Sequence, residues 1–214
     1  LFPSSYKKII PNTPPVKVDN INSGYTSFKH NKSEYIVLFR KEDIENVFVH
    51  ECIHFLNIDK GLFLNQDIDL LYNLFPIQSK IILMEAYTEI LTIFYISLCN
   101  AIFLNMDYKT ILYNEWIYSL IQSNKLLQLY SINDISEFSK WHDKTNVFSY
   151  VFIKTLCFEN LSLFLHLFFD YTKITEKNFI LFIKNSYKNV KPYLYKNKKL
   201  LSTFLNTTLR KSIY

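Results

Sequence analysis

The five residues His50-Glu51-Cys52-Ile53-His54 combine two metal ligands and a general base within one turn of a helix. Residues four apart on a helix share a face, so His50 and His54 can hold the same metal ion. Glu51, about 100° around the helix from His50, can reach a water molecule at that ion and take its proton. Zinc prefers imidazole ligands in this arrangement and keeps one position open for water. The motif therefore predicts a catalytic zinc site.

The residues around the motif predict one uninterrupted helix. No proline or glycine occurs between residues 41 and 60. Acidic residues near the start suit the positive end of the helix dipole. Apolar residues recur at helical spacing, so we expect that face to lie in the core. The alternative is a surface helix on which two histidines coincide by chance. The acidic residues are Glu42, Asp43 and Glu45, and the apolar ones are Ile44, Val47, Phe48, Cys52 and Leu56.

A catalytic zinc of this kind needs a third protein ligand. The metzincin pattern would place Gly at position 57 and His or Asp at position 60, where this chain has Asn57 and Lys60. Better candidates are Glu85 and Glu89, which lie four apart in an apolar helix predicted for residues 76–104. Burying two carboxylates in such a helix is costly unless a metal ion or hydrogen bonds compensate. This cost favours a functional role for both.

An HExxH helix followed by a second helix with the pattern Glu-Ala-x-x-acidic resembles the gluzincin metallopeptidases, the group that includes thermolysin-like enzymes. The resemblance covers residues 34–104. It implies that Glu85 is the third zinc ligand and that Glu89, one turn later, orients a zinc-bound histidine. The family often has Asp at the orienting position, so the roles of Glu85 and Glu89 are interchangeable at this stage. Residues 105–214 match no particular gluzincin subfamily.

A peptidase also needs a group that stabilises the oxyanion of the tetrahedral intermediate. The resemblance implies a tyrosine or histidine from the helical half of the chain. The candidates are His142, between two predicted helices, and Tyr150, near the start of the second of them.

The composition excludes several classes of protein. A hydrophobic fraction of 49% and an aromatic fraction of 17% exclude a disordered chain. The net charge of +5 is too small to imply a polyanion partner, so we expect no nucleic acid and interpret the basic C-terminus as a solvated helix face. Residues 90–106 and 147–171 are apolar but too short or too often charged for the ~20-residue length of a membrane span. We therefore expect no membrane span.

The cysteines favour a reducing compartment. Cys52, Cys99 and Cys157 are an odd, scattered set rather than a disulfide framework. We expect an intracellular, cytoplasmic protein, with association with a virion as the alternative location. The chain begins without methionine, which we interpret as a fragment or a processed product whose precursor N-terminus is not visible. Only 2 glycines and many Lys, Asn, Ile, Tyr and Phe are typical of AT-rich genomes, as in some protozoa, bacteria and large DNA viruses.

The predicted fold is mainly α (α+β), zincin-like, in a single domain over residues 1–214. Residues 1–24 hold four of the 6 prolines and predict an extended arm. Residues 25–104 comprise a small sheet, the HExxH helix and the third-ligand helix, and residues 105–214 form a helical subdomain. Strands Tyr25–Lys29 and Glu34–Arg40 predict a hairpin whose edge pairs with extended substrate. Helices are predicted over 76–104, 108–129, 134–140, 146–170 and 175–190, with a further one at the C-terminus.

Two functions fit these observations. The first is a zinc-dependent metallopeptidase that hydrolyses a peptide or protein substrate by zinc-activated water, with Glu51 as general base. The second is a non-catalytic structural or scaffold protein of zincin fold, for example a virion component, that retains the zinc site. Glu51 favours the peptidase, because a purely structural site has no use for a general base.

Overall fold

The computed structural model describes residues 3–29, 32–59, 66–169 and 175–194. Within these ranges the chain is mainly helical, with one two-stranded antiparallel sheet, which confirms the α+β class. The predicted terminal helix and the basic residues from Lys196 to Lys211 lie outside the described residues. The elements are α1 (Val18–Ile21), β1 (Gly24–Lys29), β2 (Lys32–Leu38), α2 (Ile44–Phe55), α3 (Asp69–Leu74), α4 (Leu83–Leu104), α5 (Tyr108–Leu129), a 3₁₀ helix (Ile135–Lys140), a π-helix (Phe148–Ile153), α6 (Lys154–Phe158), α7 (Leu161–Phe168) and α8 (Glu176–Leu194).

The hairpin of β1 and β2 packs against α2, the helix that carries the HExxH motif. Thr26 pairs with Ile36 in its antiparallel register. A Cβ added to Gly24 would lie 2.8 Å from the Val37 carbonyl oxygen and 2.8 Å from Val47 Cγ1 on α2. Only glycine permits this approach, since such contacts lie well inside van der Waals distance. The absent side chain therefore lets β1 lie against α2.

The residues before the hairpin pack into the folded body. Lys8 Nζ lies 2.8 Å from Asp43 Oδ2, and both side chains are fully buried. Asp43 directly precedes α2 and has a left-handed backbone with φ of 56°. Ser4 forms a parallel bridge with Arg40. The segment predicted as an extended arm is thus largely irregular, but its described residues hold the start of α2.

Helix α4 packs on α2, α5 and the π-helix. An aromatic cluster joins the segment before α4 to the 3₁₀ helix and the π-helix, with ring centroids 5.1 to 6.5 Å apart. Such large buried rings dominate the energetics of a core. The described residues share one continuous hydrophobic core that extends from Val16 to Leu194. The aromatic cluster consists of Phe75, Phe138, Trp141, Phe148 and Phe152.

Helix α5 matches its prediction at both ends, whereas α4 matches at one end only. Helix α5 has the predicted bounds, and α4 ends at Leu104 as predicted, but it begins at Leu83 rather than at residue 76. The residues in between use tertiary partners for their backbone groups. Ile82 N, for example, donates to Ser149 Oγ at 2.9 Å. Helix α3 lies between α2 and α4, where no helix was predicted from the sequence.

The single helix predicted over residues 146–170 was wrong. The chain forms the π-helix, α6 and α7, and a bend of 103° separates the first two from the third. The Asn160 side chain accepts a hydrogen bond from Leu163 N at 3.3 Å and so caps the start of α7. Asparagine is one of the preferred residues for this role, and the cap starts a new helix instead of continuing the old one.

The buried face of α2 also differs from the prediction. Phe48 and Leu56 are 50% and 66% exposed, whereas His50 and Glu51 are buried. Cys52 is a half-buried free thiol. The apolar periodicity was misleading because β1, β2 and α4 cover the face that carries the motif.

Among the described residues, α4 is the one helix whose length and apolarity would allow it to cross a membrane, and 44% of its apolar window is buried. The bent pair Phe148–Phe158 and Leu161–Phe168 meets the same criteria only when it is counted as one span. Helices in protein cores share these properties, so a membrane span is not shown.

Candidate metal site and cleft

Three side chains from two helices converge at one point. His50 Nε2 lies 3.0 Å from His54 Nε2 and 3.3 Å from Glu85 Oε2, and His54 Nε2 lies 3.8 Å from the same oxygen. Four ligands at about 2.0–2.1 Å from a zinc ion in a tetrahedron stand about 3.3–3.4 Å apart. The three observed separations bracket this value. The two imidazoles and the carboxylate therefore fit a tetrahedral metal ion, and they form a cluster able to hold one.

Glu89 has a different position from Glu85. Its Oε2 lies 2.9 Å from His50 Nδ1, on the side of the ring that points away from the convergence point. A carboxylate there fixes the tautomer and direction of a ligating histidine. The geometry thus separates the two carboxylates whose roles the sequence left interchangeable: Glu85 has the position of the ligand and Glu89 that of the orienting group.

His54 has a carboxylate partner of its own, which was not predicted from the sequence. Asp59 Oδ2 lies 2.5 Å from His54 Nδ1 and accepts a hydrogen bond from Thr88 Oγ1 at 2.6 Å. Asp59 is buried in the turn after α2. Asn57, with φ of 56°, reverses the chain there. The one signal in the sequence was an acidic residue soon after an asparagine that can end a helix.

A single face of α4 therefore serves both histidines. Glu85, Thr88 and Glu89 lie at positions i, i+3 and i+4, which are neighbours on a helix. Glu85 contacts both Nε2 atoms, Glu89 contacts His50 directly, and Thr88 reaches His54 through Asp59.

In the metal-free protein, the histidine and the carboxylates of the cluster stabilise each other's charged forms. Burial alone would lower the pKa of His54, but hydrogen bonds and the charges of Asp59 and Glu85 raise the pKa to about 10. Burial would raise the pKa of Glu85, yet hydrogen bonds to His50 and His54 hold it well below its usual value. The Glu85 carboxylate is therefore ionised at neutral pH, as a ligand must be, and the neighbouring His54 lowers the pKa of Asp59 in the same way.

Glu51 lines the same cleft but is not one of the three converging groups. Its carboxylate Oε2 accepts a hydrogen bond from Thr26 Oγ1 at 2.9 Å. The Thr26 hydroxyl is also 2.9 Å from the Glu51 backbone oxygen. Strand β1 thus holds a carboxylate beside the three converging side chains, at the wall of the cleft.

Tyr150 reaches the cleft from the π-helix. Its hydroxyl donates to Asn22 Oδ1 at 3.2 Å, and the neighbouring Asn146 donates from Nδ2 to Glu85 Oε1 at 3.4 Å. Burial, together with the negative charge of Glu85, raises the pKa of Tyr150, so its phenol stays protonated at neutral pH. Short π-helices often occur at functional sites.

The structure does not bring His142 to the cleft. Its ring is exposed, lies edge-on to Tyr130, and has Nδ1 2.7 Å from the carbonyl oxygen of Lys140. Of the two predicted oxyanion-stabilising residues, Tyr150 alone lines the cavity.

The cleft has a volume of about 540 Å³ and opens between the hairpin, α2, α4 and the π-helix. This is the size of a typical small-ligand or peptide side-chain site. Its lining combines the three converging side chains with aromatic and apolar ones. Tyr25, Phe28, Val47 and Met84 supply that apolar part.

No family model and no solved structure match the chain. The chain is similar to the uncharacterized protein R210 of Acanthamoeba polyphaga mimivirus, with 31% identity over 109 residues. The match covers 47% of this chain and 28% of the mimivirus protein, so it spans well under two thirds of that relative's length. A match of this extent indicates a viral relative and assigns neither a family nor an activity.

Proposed function

We propose that the protein is a zinc-dependent metallopeptidase of the gluzincin type with a zincin-like fold. The observation that carries the proposal is the position of Glu51. It lines the cleft beside His50, His54 and Glu85, yet it is bound by β1 and not by the ligand cluster. A site that served only to stabilise the fold would not need a buried carboxylate beside an open cavity.

His50, His54 and Glu85 would hold the zinc ion, with Glu89 and Asp59 orienting the two histidines. When bound, zinc supplies Lewis acidity, which polarises a peptide carbonyl and lowers the pKa of a water molecule. The donor set of two imidazoles and one carboxylate is one that zinc prefers in hydrolases.

The chain's own residues would carry the proton transfers. Glu51 takes the proton of the attacking water as general base and then returns it to the leaving amine. The Tyr150 hydroxyl, kept protonated by burial, would turn from Asn22 Oδ1 and donate its hydrogen bond to the carbonyl oxygen as that oxygen gains negative charge. Strand β1 lines the cleft and offers its backbone to an extended peptide.

The alternative is a structural or scaffold protein, such as a virion component, with a retained metal site. The likeness to a mimivirus protein is compatible with a viral origin under either function. Cys52, Cys99 and Cys157 are all free thiols. They support the proposal of a reducing, intracellular location.

The test is the variant Glu51→Gln, which keeps the size of the side chain and removes its basicity. We expect unchanged zinc content and a loss of peptide hydrolysis of ~10²–10⁴-fold, the usual contribution of a general base. Digestion of a peptide library with wild type and variant in parallel provides the substrate and the rate. Glu45→Gln is the matched control, because it removes the same charge from the exposed side of α2. Equal cleavage by wild type and Glu51→Gln would refute the mechanism, and no cleavage by wild type would favour the structural alternative.

A further inference from the structure

One hydroxyl group lies within hydrogen-bond distance of two oxygen atoms of Glu51, the proposed general base. Thr26 Oγ1 is 2.9 Å from the carboxylate Oε2 of Glu51 and 2.9 Å from its backbone oxygen. A threonine hydroxyl has one proton and can donate to only one acceptor at a time, while its lone pairs can accept. The Glu51 side chain is largely buried, so a lost partner there would be costly.

We propose that Thr26 is the positioning residue for Glu51. Its hydroxyl lies 2.9 Å from Oε2 of the Glu51 side chain, to which it can donate, and 2.9 Å from the Glu51 backbone oxygen. Thr26 thereby fixes the direction in which the Glu51 carboxyl group faces the cleft.

This arrangement depends on the hairpin. Gly24 allows β1 to lie against Val47 of α2, and Thr26 follows two residues later on the same face of the strand. Thr26 and Gly24 both line the cleft. The strand that would pair with the substrate thus also sets the position of the general base. Strand β1 therefore places both the substrate and Glu51.

The proposal specifies which side chains can replace Thr26. Valine has the same shape but no hydroxyl, whereas serine keeps the hydroxyl and loses only a methyl group. Ser27 provides a matched control, because it lies next to Thr26 but outside the residues that line the cleft. Ser27→Val introduces the same side chain one position away.

The experiment uses cobalt-loaded protein and acetohydroxamic acid, a small ligand that binds a metal through two oxygens and gives its proton to a nearby base. Binding is followed by the visible spectrum of Co²⁺, so no peptide substrate is required. The proposal about Thr26 rests on the proposed function, because it takes Glu51 as the general base. We expect Glu51→Gln and Thr26→Val each to weaken hydroxamate binding about ten-fold or more, the scale of a hydrogen bond to a charged group. The double variant should lose little more than either single one, because both remove the same interaction.

The controls separate positioning from folding. Thr26→Ser should bind the hydroxamate within about two-fold of wild type, and Ser27→Val should behave as wild type. Affinity for Co²⁺ itself should be the same in all of these variants. If Thr26→Val unfolds, Thr26→Ala replaces it. In metal-free protein, urea unfolding of the single and double variants should show coupling between Thr26 and Glu51.

Each outcome has a distinct meaning. Wild-type hydroxamate affinity in Thr26→Val, with Glu51→Gln weakened, overturns the role of Thr26 and leaves the proposed function intact. Absence of coupling in the unfolding cycle overturns it as well. If Glu51→Gln itself has no effect, or the protein takes up no Co²⁺, the proposed function fails, and the role of Thr26 as a partner of the base fails with it.

Discussion

Metal binding should displace a proton from His54, and the pH range of this exchange distinguishes the site from one with an ordinary histidine. In the metal-free protein burial opposes the charged imidazole, but Asp59 and Glu85 outweigh it and raise the pKa to about 10. A ligating histidine is neutral. Below that pH, zinc must therefore compete with the proton.

The size of the pH dependence follows from the release of one proton for each metal ion bound. The apparent zinc affinity should rise about ten-fold per pH unit between pH 7 and 9, which equals about 1.4 kcal/mol per unit. A histidine with the ordinary pKa of about 6.5 would give almost no rise above pH 7. The stability of the metal-free protein should change with pH in the opposite direction. Because the folded pKa of His54 is raised, its stabilisation of the metal-free protein is complete below about pH 6.5 and is lost as pH approaches about 10. The stability gained on adding zinc should therefore increase with pH.

Competition with a chromogenic chelator at pH 7, 8 and 9, corrected for the chelator's own protonation, measures the affinity. Calorimetry in buffers of different ionisation enthalpy counts the protons released. In the control variant Asp59→Asn, loss of the carboxylate 2.5 Å from His54 Nδ1 should lower the pKa of His54 and end the rise at a lower pH. A wild-type affinity that stays constant between pH 7 and 9 would refute the assigned role of Asp59 and Glu85.

Three further results are expected from single substitutions. Glu85→Ala should weaken zinc binding more than Glu89→Ala, because it removes a ligand, whereas loss of an orienting group typically costs ~10–100-fold in affinity. If chelator competition gives the reverse order, the roles of Glu85 and Glu89 are exchanged. Tyr150→Phe should lower kcat by ~10²–10³-fold with zinc content and KM unchanged, as expected for loss of one oxyanion donor, and a wild-type kcat would exclude this role. Gly24→Ala should destabilise the protein by about 1–3 kcal/mol in urea unfolding, because its Cβ meets a backbone oxygen and a valine at 2.8 Å; unchanged stability would show that β1 can shift away from α2 freely.

The parts of the site that lie within one helix were predictable from spacing alone. His50 and His54 share a face of α2, and Glu85 and Glu89 share a face of α4, because residues four apart align in any helix. The cost of burying the two carboxylates correctly indicated that they need partners, since Glu89 is fully buried beside His50.

The contacts between elements were not predictable in this way. Thr26 meets Glu51 across 25 residues of chain, and no periodic pattern relates a strand to a helix. Asp59 returns to His54 because Asn57 adopts a left-handed backbone, a local choice that many asparagines do not make. His142 and Tyr150 looked equivalent as candidates, and only the packing of the π-helix against α4 separates them.

The predictions of the fold divide in the same way. Helix α5 was predicted correctly because its helical pattern runs without interruption. Residues 76–82 were wrongly assigned to a helix, because their backbone groups bond to tertiary partners such as Ser149 instead. The exposed Phe48 and Leu56 on α2 show that apolar periodicity fails where polar groups of a site occupy the buried face.

The spacing of the candidate ligands along the chain sets the entropic cost of bringing them together. His50, His54, Asp59 and Glu85 come from one contiguous stretch, whereas the contact of Tyr150 with Asn22 closes a loop of 128 residues. Closing the longer loop costs about 1 kcal/mol more in chain entropy than closing the stretch between His50 and Glu85. Bringing the candidate ligands together is therefore the less costly of the two closures in chain entropy, and a bound metal ion would stabilise the shorter loop.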